Sequence, residues 1–113
     1  MYRKRIILAT VVGALLGTSV ALAEEHSSRN CGQVANGGYC NIPHNGITKM
    51  EGNANNPAGS VECKIYFAGG GEESSSGKPR CSLTSGQPGA GDESRVYNRH
   101  GSSEELGILT YWQ

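Results

Sequence analysis

The chain has 113 residues, in which ten Lys and Arg balance ten Asp and Glu, so its formal net charge at pH 7 is zero. That balance argues against a protein that holds nucleic acid through a large excess of positive charge, since such binding requires many phosphate contacts by Lys and Arg. The length predicts one small domain, which buries a modest fraction of its surface and gains stability from cross-links.

The first 23 residues are predicted to form a secretory signal peptide. The basic segment MYRKR is followed by the apolar run IILATVVGALLGTSV, which is too short for a comfortable membrane span, and by a small-x-small cleavage site that ends at Ala23. We predict residues 1–23 as the signal peptide and residues 24–113 as the mature, secreted, extracellular domain, with an uncleaved anchor as the alternative. The mature domain keeps seven Lys and Arg against ten Asp and Glu, so it is mildly acidic. No amphipathic basic helix follows the signal, so no membrane partner is predicted.

Four cysteine residues remain in the predicted mature domain: Cys31, Cys40, Cys63 and Cys81. An even number of cysteines in a secreted chain of this length predicts two disulfides, for which three pairings are open. Zinc binding is the alternative, but the sequence has no Cys-x-x-Cys pair, and His44 and His100 do not lie at ligand spacing. We therefore predict no metal and no other cofactor.

Glycine-rich segments divide the mature domain into short pieces. Three segments have loop composition: NANNPAGS, GGGEESSSGKP and TSGQPGAGDES. Residues 61–67, 81–84, 95–98 and 106–112 have the composition of β-strands, and helices have little room. The last two strands are separated by RHGSSEE, a loop of hairpin length, so we predict that they pair in a small antiparallel sheet.

Three segments of the mature domain carry recognisable motifs in sequence order. NIPHNG contains a Pro-His pair, and VECKIYF is a strand that bears Glu62. GQPGAGDESRVYN places a Pro-Gly-Ala turn before a strand with Arg95, and ELGILTYWQ follows. Together these segments, which extend from Pro43 to Tyr111, resemble the fungal guanyl-specific ribonucleases of the microbial ribonuclease and ribotoxin family. In that family a Pro-Gly-Ala-Asp turn leads into an Arg-Val strand and then into a Gly-x-Ile-Thr-His strand.

The resemblance implies an endoribonuclease site in which a ribose hydroxyl attacks the neighbouring phosphate. Glu62 would be the general base, His44 its partner and Arg95 the cation for the phosphate. Tyr111 stands where the family has its acid histidine, and a tyrosine holds its proton too tightly at neutral pH to be an efficient acid. Cleavage is therefore expected to be slow or lost. Without the resemblance, Glu62 and Arg95 are ordinary exposed strand residues and His44 is a loop histidine.

The resemblance also implies a base-recognition segment in HNGITKMEGN, with Asn45 and Glu51 as substrate-binding residues. Ile47 and Met50 stand where the family has aromatic rings. Stacking is worth about 1 to 3 kcal/mol per base, so its loss weakens any guanine preference. A solvated loop carboxylate is the alternative for Glu51.

The fold class that accompanies the resemblance is α+β and mostly β: a small disulfide-bonded antiparallel sheet of microbial-ribonuclease type. Its N-terminal helix is expected to be reduced or missing, because only two residues lie between Cys40 and Pro43. The expected pairing is Cys31 with Cys40, like a small bridge of the family, and Cys63 with Cys81, on the strands that flank GGGEESSSGKP.

Three functions are compatible with these expectations. The first is a secreted fungal ribonuclease-like protein that binds single-stranded RNA with weak or lost cleavage, including as an effector delivered into host cells. The second is a disulfide-stabilised secreted effector that acts through a host protein. The third is an active, guanyl-preferring endoribonuclease. A monomer is expected in each.

Overall fold

All regular secondary structure in the described part of the chain is β-strand. The computed structural model describes residues 24–113, so the predicted signal peptide and its cleavage site lie outside the described residues. Seven strands form one antiparallel sheet: β1 (Glu25–Val34), β2 (Tyr39–Ala54), β3 (Val61–Phe67), β4 (Glu72–Gly77), β5 (Arg80–Thr84), β6 (Gly91–Asn98) and β7 (Glu104–Trp112). Residues 24–113 contain no helix, and so none with the length and apolarity needed to cross a membrane.

The sheet turns back on itself through β2, its longest strand. Residues 39–47 of β2 pair with β6, whereas residues 47–54 pair with β7 on one edge and with β5 on the other. The register shifts just after Pro43, which has no N–H to donate to the ladder. Residues 99–103 alone connect β6 to β7, although these strands pair with opposite halves of β2. In a straight strand the two ends of β2 would lie about 50 Å apart. Five connecting residues reach about 18 Å at most, so β2 must bend.

The two halves of β2 lie in two facing layers. The first layer has the strand order β4-β3-β6-β2 and contains the first half of β2. The second layer has the order β1-β7-β2-β5 and contains the second half. The layers approach closely at Gly52 of β2, where an added Cβ would lie 2.3 Å from Cγ2 of Val96 on β6. A residue without a side chain is therefore needed at this position.

Side chains that alternate along each strand fill the space between the layers. In β3 every second residue from Val61 to Phe67 is buried, and the residues between them are partly exposed. The buried apolar residues are Cys40, Ile42, Ile47, Met50, Ala54, Val61, Cys63, Ile65, Phe67, Cys81, Val96, Leu106 and Ile108. Two buried hydroxyls, of Ser94 on β6 and Thr110 on β7, lie 2.6 Å apart and hydrogen-bond each other between the layers. Each hydroxyl thereby satisfies the other away from water.

Both disulfides connect the first layer to the second. Cys31 of β1 is bonded to Cys40 in the first half of β2, and Cys63 of β3 is bonded to Cys81 of β5. The expected pairing is therefore confirmed. Strands β3 and β5 are not hydrogen-bonded neighbours, so the second bridge joins the two layers and is not a cross-strand bridge within one ladder.

The mostly β, antiparallel, disulfide-bonded character predicted from the sequence is confirmed, but the predicted hairpin of the last two strands is wrong. Strand β6 pairs with β2 and β3, whereas β7 pairs with β1 and β2.

The segment GGGEESSSGKP, predicted as a loop, also contains a strand, β4. Its Glu and Ser residues carry no hydrophobic alternation, because β4 lies at a sheet edge and buries none of its residues. Strand β1, which is equally polar and lies at the other edge, is not predicted from the sequence for the same reason.

Candidate functional site

The outward-pointing side chains of the first layer form a continuous polar surface. Strands β3 and β6 carry the same pattern, Glu-x-Lys/Arg-x-Tyr, in ECKIY at 62–66 and ESRVY at 93–97. Because the strands are antiparallel, each Glu lies opposite the Tyr of the other strand, and the two cations lie opposite each other. Two residues of β2 extend the surface beyond β6. This surface, the tyrosine–arginine face, consists of Tyr39, Asn41, Glu62, Lys64, Tyr66, Glu93, Arg95 and Tyr97.

Arg95 lies at the centre of the tyrosine–arginine face. Its guanidinium donates two hydrogen bonds to the Glu93 carboxylate, over 2.8 and 3.1 Å, and one to the Tyr97 hydroxyl over 2.9 Å. The guanidinium carbon lies 4.2 Å from the centroid of the Tyr39 ring and 4.7 Å from that of Tyr66, which is the range of cation–π contacts. The hydrogen bond to Glu93 is the main cause of a raised pKa at Arg95. The side chain is therefore held in one position by groups on four sides.

The same network holds Glu93 and Tyr66. Hydrogen bonds from Arg95 and, more weakly, from the Asn41 amide lower the pKa of the Glu93 carboxyl against the opposing effect of burial. Burial, together with a 2.6 Å hydrogen bond between the hydroxyls of Tyr66 and Tyr97, raises the pKa of Tyr66 to about 12. At neutral pH the carboxyl is therefore ionised and the phenol of Tyr66 is neutral.

The other cations at this surface also have carboxylate partners. Lys64 forms an ion pair with Glu72 of β4 and donates a hydrogen bond to it. This hydrogen bond is the main cause of a raised pKa at Lys64. Arg99, just after β6, donates from Nε to Oε1 of Glu62 over 2.9 Å. With the Arg95 pair, three cations face three carboxylates. The paired groups therefore carry no net charge.

Two of the predicted catalytic residues, Glu62 and Arg95, lie close together. They are on adjacent strands and point to the same side, two residues apart in register. Each is nevertheless paired with another group, Glu62 with Arg99 and Arg95 with Glu93. The expected arrangement, with a general base beside a cation available for phosphate, is not formed by these two residues.

His44 and Asn45 lie apart from this surface, at the bend of β2. The His44 ring stacks on Trp112 of β7 with 3.7 Å between ring centroids, and its Nδ1 is 2.6 Å from the Asn45 carbonyl oxygen. The register aligns Pro43 with Tyr66, which is four residues, about 13 Å, along β3 from Glu62, and His44 lies beyond Pro43 on a strand two positions, about 10 Å, away. His44 is therefore not beside Glu62 as the sequence predicts.

Tyr111 and Glu51 point outward from the second layer, on the opposite side of the molecule from Arg95. The Tyr111 ring lies under Lys49, whose Nζ is 4.4 Å from the ring centroid. Glu51 lies opposite Ser82 of β5. The hairpin that would place Arg95 opposite Tyr111 does not form, so the predicted catalytic and substrate-binding residues are divided among three places and do not line one cleft.

Sequence analysis overlooks the tyrosines and Glu93 that complete the face. The signal that indicates them is the repeated Glu-x-Lys/Arg-x-Tyr pattern, since residues two apart in a strand share one face. Residues 24–113 contain no group of three or more His, Cys, Asp or Glu side chains that could hold a metal ion. No known family model matches the chain, and a search of curated proteins finds no match to it.

Proposed function

We propose that this chain is a non-catalytic binding protein that recognises a protein partner through the tyrosine–arginine face. The observation that carries the proposal is the position of Arg95, which Glu93 fixes against the rings of Tyr39 and Tyr66. Tyr and Arg are among the residues that most often dominate the binding energy of protein interfaces. Side chains that are already fixed lose little conformational freedom on binding, so the face is preorganised for a partner.

The charge balance of the face favours a protein over a nucleic acid. Lys64, Arg95 and Arg99 each have a carboxylate partner, so a phosphate would compete with a carboxylate for every cation. Nucleic-acid binding depends strongly on cations that neutralise phosphates. A protein partner can leave the ion pairs intact and cover them together with the aromatic rings.

A second candidate is the binding of single-stranded RNA by a secreted ribonuclease-like protein that has lost cleavage. It is favoured by Tyr39, which is 43% exposed beside the Arg95 guanidinium and offers a ring for stacking on a base. This candidate includes the proposal that the sheet is of microbial-ribonuclease type. It does not include RNA cleavage, because Tyr111 and Arg95 point outward from different layers. Both candidates assume a secreted protein, with which the two disulfides are compatible.

Matched variants test the first candidate. The oxidised protein of residues 24–113 is prepared as wild type, Arg95→Ala and Tyr39→Ala, with Lys78→Ala as the control for an exposed cation outside the tyrosine–arginine face. Each protein is used to capture partners from extracts of candidate host tissues. A specific partner should bind the wild type and the control, and should bind both face variants about 30-fold more weakly, as expected for residues at the centre of an interface.

The same four proteins are titrated with a fluorescent single-stranded RNA of about twelve nucleotides at low and moderate salt. RNA binding that falls steeply with salt and disappears in Arg95→Ala would favour the second candidate over the first. Partners and RNA that bind all four proteins equally, or not at all, would exclude the tyrosine–arginine face as the binding surface and overturn both candidates.

A further inference from the structure

The outer side of the second layer carries a separate groove with a volume of about 640 Å³. Small-molecule sites in proteins have volumes of about 300–1,000 Å³, so the groove has the size of a ligand site. The register of β1, β7, β2 and β5 places two rows of residues side by side across it. One row is Asn30, Gly107, Asn53 and Arg80, and the other is Ser28, Leu109, Glu51 and Ser82.

Gly107 contributes no side chain to the middle of the groove. Gly107 lies in β7 between Asn30 of β1 and Asn53 of β2. A Cβ added to Gly107 would lie 2.7 Å from Oδ1 of Asn53. The Asn53 amide therefore lies over Gly107 at the groove, and Leu109 supplies an apolar patch beside it.

Among the polar side chains of the groove, that of Asn30 is used by the fold, since its Oδ1 accepts a hydrogen bond from the Gly32 N–H over 3.1 Å. Within residues 24–113, Glu51, Arg80 and Ser82 form no side-chain hydrogen bond or ion pair. On the tyrosine–arginine face, by contrast, every cation is paired with a carboxylate. Arg29 also borders the groove, but its guanidinium donates to the Asn41 carbonyl oxygen over 3.2 Å. The groups that remain available in the groove are amides, hydroxyls, one carboxylate and one guanidinium.

This set of groups matches the chemistry of sugar hydroxyls. Each hydroxyl both donates and accepts, and Asn, Ser, Glu and Arg side chains together offer donors and acceptors to it. Glu51 and Arg80 balance each other in charge, so a neutral ligand is favoured, and the Glu51 carboxylate opposes phosphate groups. Leu109 provides a contact for the C–H side of a sugar ring. Because the groove crosses four strands of an open sheet face, it accommodates a chain of sugars better than a single ring.

We propose that this groove binds a linear, neutral oligosaccharide. The site is independent of the proposed function, because it lies on the opposite layer from the tyrosine–arginine face and shares no residue with it. Binding without cleavage is the activity proposed. Glycoside hydrolysis commonly requires a pair of carboxyl groups, and Glu51 is the single carboxylate among the lining residues.

Amide chemical shifts of the oxidised, isotope-labelled protein of residues 24–113 test the proposal. The probes are chitohexaose, cellohexaose and laminarihexaose, with hexagalacturonic acid as the charged comparison and the RNA used above as the nucleic-acid comparison. At least one neutral probe should shift the amides of Asn53, Arg80 and Gly107 in a saturable way and leave those of the tyrosine–arginine face unchanged.

Variants then locate the bound sugar. Glu51→Ala should weaken binding about tenfold or more, because it removes a charged hydrogen-bond acceptor. Gly107→Ala should weaken it similarly, because the added methyl group displaces the flexible end of Asn53 from its place at the groove. Asp92→Ala, at an exposed acidic residue of the first layer, is the control and should bind as the wild type does.

Several results would overturn the proposal. One is no shift of the groove amides with any neutral probe at about 5 mM, a concentration that would fill most of a site with a dissociation constant of about 1 mM. The others are shifts with the charged probe or the RNA alone, and equal binding by Glu51→Ala and wild type. The amide shift changes of the wild-type protein alone show whether the groove binds a sugar, even if a variant does not fold. The amides of the groove are distinct from those of the first layer. A failure of sugar binding therefore leaves the partner-capture result unchanged, and a failure of partner capture leaves the sugar-binding result unchanged.

Discussion

Replacing Gly52 with alanine tests whether the two layers pack as closely as the structure indicates. The new Cβ would lie 2.3 Å from Cγ2 and 2.7 Å from Cγ1 of Val96, a fully buried residue of the facing layer. Carbon atoms in van der Waals contact are separated by about 3.5 to 4.0 Å. The layers would therefore have to separate locally by about 1 Å, or Val96 would have to leave its preferred rotamer.

The expected cost of Gly52→Ala follows from this overlap. Extra methyl groups in a packed core cost about 1 to 3 kcal/mol, and the upper end applies because both close atoms belong to a short, β-branched side chain with nowhere to move. For a domain of this size, about 3 kcal/mol lowers the melting temperature by about 12 to 24 °C. It is also a large part of the total stability of such a domain, about 5 to 13 kcal/mol.

Guanidinium unfolding of the oxidised protein, followed by the fluorescence of Trp112, measures the effect. Gly69→Ala is the matched control, since an added Cβ there meets nothing within 4 Å, and it should change stability by about 0.5 kcal/mol or less. In the double variant Gly52→Ala with Val96→Ala, the space left by the valine methyls accepts the new one, so the loss should be about 1 to 2 kcal/mol smaller than the sum of the single losses. An unaffected Gly52→Ala protein, or strictly additive losses, would refute the close approach of β2 and β6.

Three further outcomes are expected. Replacing Cys63 and Cys81 together by alanine should cost about 3 kcal/mol in the entropic treatment of an 18-residue loop, as read by denaturant midpoint, and an unchanged midpoint would show that the layers need no link there. Because Arg95 lowers the pKa of Glu93, this carboxylate contributes stability above its unfolded pKa of about 4.5, which is lost as the pH falls through the lower folded value. The wild type should therefore exceed Glu93→Gln in stability at pH 7 and approach it near pH 2, and a gap that does not change with pH would contradict the pairing. Tyr111→His should not create RNA cleavage, because the new imidazole would lie on the opposite layer from Arg95, and a Tyr111→His protein with a clear gain in cleavage rate would contradict that placement.

The features that sequence analysis predicts correctly depend on local patterns. Strand β3 is recognised because apolar and polar residues alternate from Val61 to Phe67, as required of a strand with one buried side. The resemblance to the ribonuclease family implied a shared site for Glu62 and Arg95, and the structure places these two residues on adjacent strands. Strands β1 and β4 escape prediction because they lie at sheet edges, where burial imposes no alternation.

The predicted catalytic site depends on which strands pair, and local pattern does not decide that. A short loop between Asn98 and Glu104 is compatible with a hairpin, and in a hairpin Arg95 and Tyr111 would be partners. In the folded chain β2 bends after Pro43, so that its first half pairs with β6 and its second half pairs with β7. This arrangement buries apolar side chains of both strands in one core, which a two-stranded hairpin cannot do.

The amino-acid sequence by itself determined which side chains share a strand face, because alternation is a property of the extended backbone. It also determined that two disulfides could form, since that requires four cysteines. The tertiary structure alone decided that Arg95 pairs with Glu93 against Tyr39 and Tyr66. It also decided that Tyr111 points away on the other layer. These outcomes depend on contacts between residues far apart in the chain, and such contacts form only when burial of the whole core offsets the entropy of bringing them together.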